Sequence, residues 1–382
     1  MKSIGLFFGG KSVEHDVSVV SAKIINNGFA KISSEFKVIP VYLNRRGDWI
    51  VFKHFPSFSE LKAKKNTPSN VRLLLNPESE KLVLKRNRLF GGKIVIDVAF
   101  PILHGANGED GALQGLFETA NVPYAESGVL GSALGMDKVL TKDICRANGI
   151  PVVNYLSFFR EDYENNKEKI KNKIKEKLHF PIFIKPANLG SSIGITKAED
   201  DGSLENAIEV AIRYARKIIA EQGVKNAQEI NCAVIGFIDQ TPSLLEEPVH
   251  YSKFLTFEEK YIGGGKKMGG ESAGGTMGGA PSKVKIPAPV DEVVAEKIKH
   301  LAVKIFSLLE CSGVARVDFL VSEEGEVFLN EINTIPGSLQ QHLFKASGLP
   351  LPELLKKTIS LAVDVFVNKK KNLTSFTSAL LS

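Results

Sequence analysis

The sequence contains few of the residues from which disulfide frameworks, metal clusters and membrane spans are built. Its 382 residues include only three cysteines, Cys145, Cys232 and Cys311. They are far apart, odd in number and without metal-type spacing, so they predict a reducing compartment and no disulfide framework. The N-terminal apolar core is too short for a signal peptide, and no apolar run is long enough to cross a bilayer. We therefore expect a cytoplasmic protein with no membrane partner.

An excess of charge of one sign is also missing. The net charge is +6, with 43% hydrophobic and 24% charged residues, which is typical of a soluble globular protein. The lysines are scattered or lie on helix faces, such as the helix predicted around Ile170, Ile174 and Leu178, so nucleic-acid binding is not indicated. The length allows two or three domains, and no internal repeat is visible.

The strongest chemical signal lies in two segments near the C-terminus. Residues 314–321 and 326–333 each predict a strand, and the four residues between them predict a hairpin loop. Pairing Val321 with Glu326 collects four polar side chains on one face, namely Arg316, Asp318, Glu331 and Asn333. Such a cluster is costly to bury without partners, and its oxygens suit Mg²⁺ held between carboxylates and substrate phosphates. A salt-bridged sheet surface is the alternative interpretation.

The first 130 residues predict a small α/β unit. Strand–loop–helix order places functional loops at the carboxyl ends of parallel strands. We predict a helix and a loose loop within residues 56–80. The predicted strands are Ser3–Phe8, Phe36–Leu43 and a buried parallel strand at Ile94–Phe100, and the predicted helices are Asp16–Ala30 and Ala112–Ala120.

Two further units and a tail are predicted, with boundaries at 131–220, 221–368 and 369–382. The middle unit contains a helix at Met136–Asn148, a strand at 181–185 and an amphipathic segment with a helical stripe at Leu204–Ala220. The last unit contains a strand at Glu229–Phe237, a glycine-dominated loop at 254–282, and helices at Glu292–Leu309 and Leu351–Val367.

Two segments indicate nucleotide chemistry, each with a plain structural alternative. Lys185 ends a strand that runs into Gly190 and Ser191, which is the composition of a phosphate cradle, although no Walker A motif is present. Glu221 and Glu229 could hold a ribose. A structural turn and surface carboxylates remain the alternatives, and Lys138 taken alone is compatible with a surface lysine.

Three loops could hold a substrate. Glu14 lies between a strand and a helix, where it can meet an ammonium group or simply stabilise the helix N-terminus. His104 lies in the next loop and could equally be a structural hydrogen bonder. Tyr261 follows Lys260 at the mouth of the glycine loop, which we interpret as a lid that excludes water, with a plain disordered loop as the alternative.

Seven motifs taken in order resemble the ATP-grasp ligases, and most closely the D-alanine–D-alanine ligase family. The resemblance covers nearly the whole chain. The motifs are FFGGKSVEHDVS around Glu14, LHGANGEDGALQG around His104, GMDKVLTK around Lys138, IKPANLGSSIGI around Lys185 and Ser191, EEKY ending at Tyr261, GVARVDF around Arg316, and LNEINTIPGS through Gly337.

This resemblance implies an α/β fold, α+β overall, in a three-domain ATP-grasp architecture. A Rossmann-like N-terminal domain precedes a two-sheet cleft that holds ATP. The family reaction converts ATP and two D-alanines to D-alanyl-D-alanine, ADP and phosphate through an acylphosphate, for peptidoglycan precursors. The implied partners are two Mg²⁺ or Mn²⁺ ions, the small-molecule substrate D-alanine, and a second copy of the chain in a homodimer.

The resemblance also assigns roles to residues. It places ATP against Lys138, Lys185, Ser191, Glu221, Val224, Glu229, Phe254 and Lys260. It places the metal ions on Asp318, Glu331 and Asn333. It gives catalytic roles to Glu14, Ser191, Tyr261, Arg316 and Gly337, and substrate contacts to Glu14, His104, Gly337, His342 and Leu343.

The sequence departs from the family pattern near the second substrate. Leu255 stands where many members carry an aromatic hydroxyl, and His342 stands where many relatives place a serine that holds the second carboxylate. His342 or a neighbouring glutamine could substitute for that serine. A D-alanine–D-lactate ligase is the alternative, and Tyr261 favours the dipeptide. A nucleotide-binding protein without catalysis would lack a metal ligand or the arginine, and Arg316 and its neighbours are present.

Overall fold

The chain forms three units, which a computed structural model describes for residues 1–62, 71–75, 79–87, 92–248 and 284–373. The predicted lid loop at 254–282 and the tail beyond residue 373 lie outside the described residues. None of the helices in these ranges is long and apolar enough to cross a membrane.

The first unit is built on a four-stranded sheet with strand order β3-β2-β1-β7. β1 pairs in parallel with both β2 and β7, as expected for its almost fully buried sequence. A second, three-stranded antiparallel sheet has the order β4-β5-β6. The elements are β1 Lys2–Gly9, α1 His15–Ala30, β2 Phe36–Leu43, β3 Trp49–Val51, α2 Phe58–Lys62, β4 Val71–Leu74, β5 Leu82–Arg86, β6 Lys93–Ile96, β7 Val98–Pro101 and α3 Ala112–Thr119.

The prediction of a single strand at Ile94–Phe100 is wrong, because the strand is interrupted at Asp97. Its Oδ2 accepts a hydrogen bond from the Ser3 backbone N–H at 2.8 Å, and its Oδ1 lies 2.8 Å from the Lys81 Nζ. The residues before this break join the small sheet, and those after it join the main sheet. Both halves are apolar, so the run of hydrophobic letters conceals the change of sheet.

The middle unit is a four-stranded antiparallel sheet with strand order β10-β9-β11-β8, covered by helices. Ile174, Ile184 and Leu204 are fully buried in its core. The elements are α4 Val129–Met136, α5 Lys138–Ala147, β8 Tyr155–Phe159, α6 Arg160–Asn165, α7 Lys167–Lys177, β9 Ile182–Pro186, β10 Thr196–Ala198, α8 Asp201–Ala211 and β11 Lys217–Gln222.

Two helical segments predicted in this unit are longer than the observed helices. The helix predicted at Met136–Asn148 is α5, which begins two residues later at Lys138, because the Asp137 side chain caps it by accepting the backbone N–H of Val139 and Leu140, while Met136 ends α4. The amphipathic segment Leu204–Ala220 leaves the helix after Ala211, and its last residues belong to β11. β11 crosses the predicted boundary at residue 220.

The last unit is a five-stranded antiparallel sheet with strand order β14-β13-β12-β15-β16. α9 packs on one face through residues such as Ile298 and Ile305. The opposite side shares a core with α1 and α11, so the first and last units are packed together. The elements are β12 Gln228–Gly236, β13 Gln240–Pro248, β14 Val284–Lys285, α9 Glu292–Leu308, β15 Gly313–Val321, β16 Val327–Asn333, a 3₁₀ turn Gly337–Gln340, α10 Gln341–Ala346 and α11 Leu351–Lys369.

The predicted register of the β15–β16 hairpin is wrong by one residue. Val321 pairs with Val327 and not with Glu326, although the Ser322 N–H still bonds the Glu326 carbonyl at 2.9 Å. Continued without interruption, the observed register would turn Glu331 away from the face that carries Asp318.

A β-bulge restores the predicted face. Phe319 pairs with Leu329, but Asp318 pairs with Glu331, so Asn330 is the extra residue. The burial pattern of β16 shows the same slip, because Asn330 and Glu331 are both half-buried in succession. The prediction that the four polar side chains share one face is thus confirmed, through a bulge that alternation alone does not predict.

Candidate active site

The polar face of the hairpin is tightly paired. Arg316 lies opposite Asn333, and Asp318 lies opposite Glu331. The Arg316 guanidinium forms a bidentate ion pair with the Asp318 carboxylate: Nε lies 2.6 Å from Oδ1, and a terminal nitrogen lies 2.7 Å from Oδ2. The Asn333 amide donates a third hydrogen bond to Asp318 at 3.2 Å. Arg316 and Asp318 therefore hold each other in fixed positions.

Negative charge is crowded on this face. Burial raises the pKa of the Asp318 carboxyl to about 6; Arg316 opposes the shift, while Glu331 and Glu229 add to it. Burial lowers the pKa of the Arg316 guanidinium, but Asp318, Glu246 and Glu331 raise it above its ordinary value. A further cation at the two facing carboxylates would relieve this repulsion.

The donor set fits a hard divalent cation. Asp318 and Glu331 face each other across the ladder, and Asn333 adds an amide oxygen two residues further along β16. Carboxylate and amide oxygens on adjacent strands are the ligands that Mg²⁺ prefers, together with substrate phosphates. The repulsion between the two carboxylates is the observation in this structure that supports such an ion.

Polar residues also lie beside Asp318 on the next two strands of the sheet, and sequence reasoning missed them. Asp318 on β15 pairs with Asn231 on β12, and Asn231 pairs with Glu246 on β13. The Asn231 amide donates to the buried Glu246 carboxylate at 3.2 Å, and His342 Nε2 lies 2.6 Å from the other carboxylate oxygen. Burial raises the pKa of the Glu246 carboxyl, but His342, Arg316 and Asn231 together outweigh it, so the pKa lies below its ordinary value.

Lys138 joins the middle unit to this face. Its Nζ lies 3.0 Å from a carboxylate oxygen of Glu331 and donates to the Leu189 carbonyl at 2.8 Å, in the loop before Gly190. Burial lowers the pKa of the Lys138 ammonium, but Glu331, with Glu221 and Glu14, more than offsets it, so the pKa is raised. α5 brings this lysine to the cleft because Asp137 caps the helix one residue earlier.

Lys185 lies in a buried ion cluster. Its Nζ lies 2.5 Å from one oxygen of the Glu221 carboxylate and 3.2 Å from the Asn330 side-chain oxygen. The other Glu221 oxygen lies 3.1 Å from the Nζ of Lys142, a residue that sequence reasoning missed. Burial raises the pKa of the Glu221 carboxyl, but the two lysines lower it to about 2.

Glu14 and the glycine-serine loop meet directly. The Ser191 hydroxyl donates to the Glu14 carboxylate, and a Cβ at Gly190 would lie 3.3 Å from both carboxylate oxygens. Glu109 lies close by and accepts the Gly105 backbone N–H at 2.8 Å. Burial, followed by the charge of Glu14, raises the pKa of the Glu109 carboxyl well above its ordinary value. The pair therefore carries less negative charge than two separate carboxylates.

His104 and Gly337 lie behind this loop. The ring nitrogen Nε2 of His104 lies 3.1 Å from the Ser21 hydroxyl, which also accepts the Ser338 backbone N–H at 3.2 Å. Burial lowers the pKa of the His104 imidazole to about 4, so the ring is neutral near neutral pH. Among the described residues, no atom lies within 4 Å of the position that a Cβ on Gly337 would take, at the start of a turn in which three residues have positive φ.

One cavity is lined by residues from all three units, and the predicted site residues Lys138, Glu331 and Asn333 are among them. It is lined by Glu109 of the first, Lys138 and Gly190 of the middle, and Glu331 and Asn333 of the last. A larger space of about 470 Å³ lies near Trp49 and Arg72 and includes none of the predicted site residues. Of these two spaces, only the smaller one is lined by predicted site residues.

The other predicted site residues are more dispersed. Val224 lies between β11 and β12, and Glu229 lies within β12; both are half-buried, whereas Leu343 is fully buried in the shared core. Phe254, Leu255, Lys260 and Tyr261 lie outside the described residues.

Comparisons with known proteins agree over the whole chain. The family model described as D-ala D-ala ligase N-terminus matches residues 3–127, and that of the C-terminus matches residues 144–360. A D-alanine–D-alanine ligase from Acetivibrio thermocellus is 38% identical and covers 97% of this chain and 98% of its own. Another, from Thermosipho africanus, is 36% identical over 100% of this chain and 98% of its own.

Solved structures give the same picture. The D-alanine–D-alanine ligase from Coxiella burnetii superposes with a TM-score of 0.79 at 28% identity, covering 97% of this chain and 96% of its own. A D-Ala:D-Ser ligase from Enterococcus faecalis has a TM-score of 0.77 at 32% identity, covering 94% and 99% respectively. The predicted ATP-grasp fold is confirmed by these superpositions.

Proposed function

Because the chain belongs to the D-alanine–D-alanine ligase family, we propose that it joins two D-alanines for peptidoglycan precursor synthesis. The family is ATP-dependent, so the reaction also converts ATP to ADP and phosphate. The observation that carries the assignment of the site is the convergence of Glu14, Lys138, Lys185 and the Asp318–Glu331 pair on one cleft. Each of these groups matches a charge on the two substrates.

ATP lies between the two antiparallel sheets in this proposal. Lys138, Lys185 and Lys260 contact the phosphates, with Ser191 in the loop beside them. Glu221, Val224 and Glu229 hold the adenine and ribose, and Phe254 packs on the base. The lysine–carboxylate pairs of the cleft support this arrangement, since the side chains of Lys138 and Lys185 keep exposed fractions of 7% and 10%.

Asp318, Glu331 and Asn333 would hold two Mg²⁺ or Mn²⁺ ions. When bound, such ions neutralise the charge that builds up on the transferred phosphoryl group. The chain's own contribution is to hold these oxygens on one face, through the bulge at Asn330 and the grip of Arg316 on Asp318.

The first D-alanine is held by Glu14, which takes its ammonium group. Ser191 bonds Glu14, and in our proposal Tyr261 completes this link to the lid. Neutral His104, and Glu109 with its raised carboxyl pKa, limit the charge around the substrate, so the carboxylate of D-alanine stays free to attack. One of its oxygens forms a bond to the γ-phosphorus of ATP, ADP leaves, and an acylphosphate results.

The second D-alanine then attacks the acyl carbon with its amine, and phosphate leaves with the bridging oxygen. Arg316 and the Gly337 backbone N–H stabilise the oxyanion of the tetrahedral intermediate. Losing one such donor costs roughly a hundred- to thousandfold in rate. His342 and Leu343 lie after the Gly337 turn, and we assign the carboxylate of the second substrate to His342.

We further propose that the enzyme acts in the cytoplasm as a homodimer, with small molecules as its substrates and with neither nucleic acid nor membrane as a partner. The D-alanine–D-lactate activity is the weaker candidate. Relatives named as dipeptide ligases, and the Lys260–Tyr261 pair of the sequence, favour an amine as the second nucleophile.

The test is to incubate the purified protein with ATP, Mg²⁺ and D-alanine, and to measure phosphate release and the product mass. We expect D-alanyl-D-alanine with D-alanine and no product with L-alanine. A competition with D-lactate and D-serine at neutral pH identifies the second substrate. A predominant ester product, or ATP turnover that ignores D-alanine, would contradict the proposal.

A further inference from the structure

Lys142 is a fully buried lysine with no assigned role. It lies one turn after Lys138 on α5, and its side chain has 0% exposure. Its Nζ lies 3.1 Å from the Glu221 carboxylate on β11 and donates to the Leu329 carbonyl on β16 at 3.1 Å. Because lysine is almost never fully buried unless it is paired, this position needs an explanation.

Glu221 has two lysine partners and only one negative charge. Lys142 lies at one of its oxygens and Lys185 at the other. Counted over these three side chains with both lysines charged, the cluster has two cations for a single carboxylate. One lysine can leave the carboxylate without stranding a buried charge, provided that the other one stays.

The two lysines differ in their freedom to leave. Lys142 is enclosed and also holds the backbone of β16. Lys185 is 10% exposed, lies at the end of β9 next to the Ser191 loop, and has its second contact with the Asn330 side chain. Lys185 is thus the member of the cluster that can reach a phosphate.

We propose that Lys142 is a positioning residue that keeps Glu221 compensated and in place, and so frees Lys185 to move from Glu221 to the phosphates of ATP. The inference rests on the proposed function of Lys185 as a phosphate ligand. Without Lys142, the buried carboxylate would retain Lys185, and ATP would lose that contact. D-alanine contacts neither lysine in this arrangement.

The experiment measures binding and turnover in the full-length protein. A non-hydrolysable ATP analogue with Mg²⁺ is titrated calorimetrically, and KM is determined for ATP and for D-alanine. For Lys142→Met we expect the analogue Kd and the KM for ATP to rise at least about tenfold, with the KM for D-alanine within about twofold. Lys167→Met, which removes an exposed lysine paired with Glu205 and Glu209, is the matched control and should change neither.

A second comparison separates charge compensation from structural support. In the Glu221→Gln background there is no carboxylate to compensate, so adding Lys142→Met should change the analogue Kd by less than about threefold. This comparison remains informative if Lys142→Met alone unfolds, because the double variant buries neither charge. Thermal melting identifies variants that fold.

Two results would overturn the inference. One is a folded Lys142→Met protein that binds the analogue as tightly as the unchanged protein. The other is a loss on adding Lys142→Met to Glu221→Gln that equals the loss in the unchanged background. Lys185→Met tests the premise separately, since unchanged analogue binding would remove Lys185 from the phosphate site. Because the analogue needs no turnover, these readouts remain valid even if D-alanine proves not to be the substrate.

Discussion

Two glutamates with almost the same burial have opposite protonation states in this protein. Glu221 is 2% exposed and Glu126 is 3% exposed. Burial raises the pKa of both carboxyls, but Lys142 and Lys185 lower that of Glu221 to about 2, whereas Glu126 stays near 8. The neighbouring charged groups determine whether a buried carboxyl is ionised, and burial sets only the free-energy cost of the ionised form.

The two residues lie in regions with different tasks. Glu221 lies in the cleft, among the charges that we assign to ATP. Glu126 lies at the joint between the first and last units, where its carboxylate accepts the Val314 backbone N–H at 2.6 Å and its carbonyl accepts the Ser312 hydroxyl at 2.9 Å. Within the described part of the chain its other carboxylate oxygen has no hydrogen-bond partner. Glu221 thus belongs to the charged groups that we assign to the reaction, whereas Glu126 is a neutral acid that packs at the joint between the first and last units.

The largest effect should come from removing a cation of the cleft. Arg316→Met should lower kcat by about a hundred- to thousandfold, because an oxyanion donor and the partner of Asp318 are lost. Glu126→Gln keeps an oxygen for the Val314 N–H and should leave kcat within about threefold. Steady-state phosphate release measures both. Equal losses in the two variants would mean that charge is no more important in the cleft than at the joint.

Stability should separate the same two glutamates. Glu221→Gln strands two buried lysines, and we expect a loss of about 3–5 kcal/mol in the free energy of unfolding. Glu126→Gln replaces an acid that is mostly neutral near neutral pH, so its loss should stay below about 1 kcal/mol. Urea unfolding measures both, with Glu205→Gln as an exposed ion-pair control. A Glu221→Gln protein as stable as the control would show that the cluster contributes no net stability.

The pH dependence of stability should run in opposite directions at the two sites. The folded pKa of Glu126 is raised from 4.5 to about 8, so its contribution is complete below 4.5 and is lost as the pH rises towards 8. The folded pKa of Glu221 is lowered from 4.5 to about 2, so its contribution is present above 4.5 and is lost as the pH falls towards 2.

In each glutamine variant, the unfolding free energy should depend less on pH within the range assigned to the replaced glutamate. The slope should fall by up to about 1.4 kcal/mol per pH unit. Unfolding free energies measured across both windows test this. If Glu126→Gln leaves the slope between 4.5 and 8 unchanged, the joint does not hold a neutral acid.

The smallest effect should come from Glu246, a third buried carboxylate with a partly exposed partner. Glu246→Gln weakens its 2.6 Å contact with His342, and we expect the KM for the second D-alanine to rise about three- to tenfold with little change in the KM for ATP. His342→Asn serves as the companion variant. A selective rise in the KM for ATP would remove this pair from the second-substrate site.

Sequence patterns predicted the polar residues of the cleft better than the strand register and the neighbouring residues that hold them in place. Alternation placed Arg316, Asp318, Glu331 and Asn333 on one face, and the structure agrees, although only because of the bulge at Asn330. The register itself was wrong, since a hairpin's pairing depends on its turn and on bulges that leave no mark in the alternation.

The missed residues depend on tertiary contacts. Asn231 and Glu246 join the site because β12 and β13 pair beside β15, which the sequence of neither strand shows by itself. Lys142 did carry a signal: with Lys138 and Cys145 it falls on the buried stripe of α5 at helical spacing. A lysine on such a stripe indicates a buried partner, but Glu221 could not be identified without the fold.

The most direct measurement follows oxygen from D-alanine to phosphate. D-alanine labelled in its carboxylate with a heavy oxygen isotope is turned over with unlabelled ATP and Mg²⁺, and the released phosphate and the dipeptide are analysed by mass. If the first carboxylate attacks the γ-phosphorus, one labelled oxygen appears in each phosphate formed along with D-alanyl-D-alanine. Dipeptide formation with unlabelled phosphate would contradict the acylphosphate route and the assignment of the cleft that rests on it.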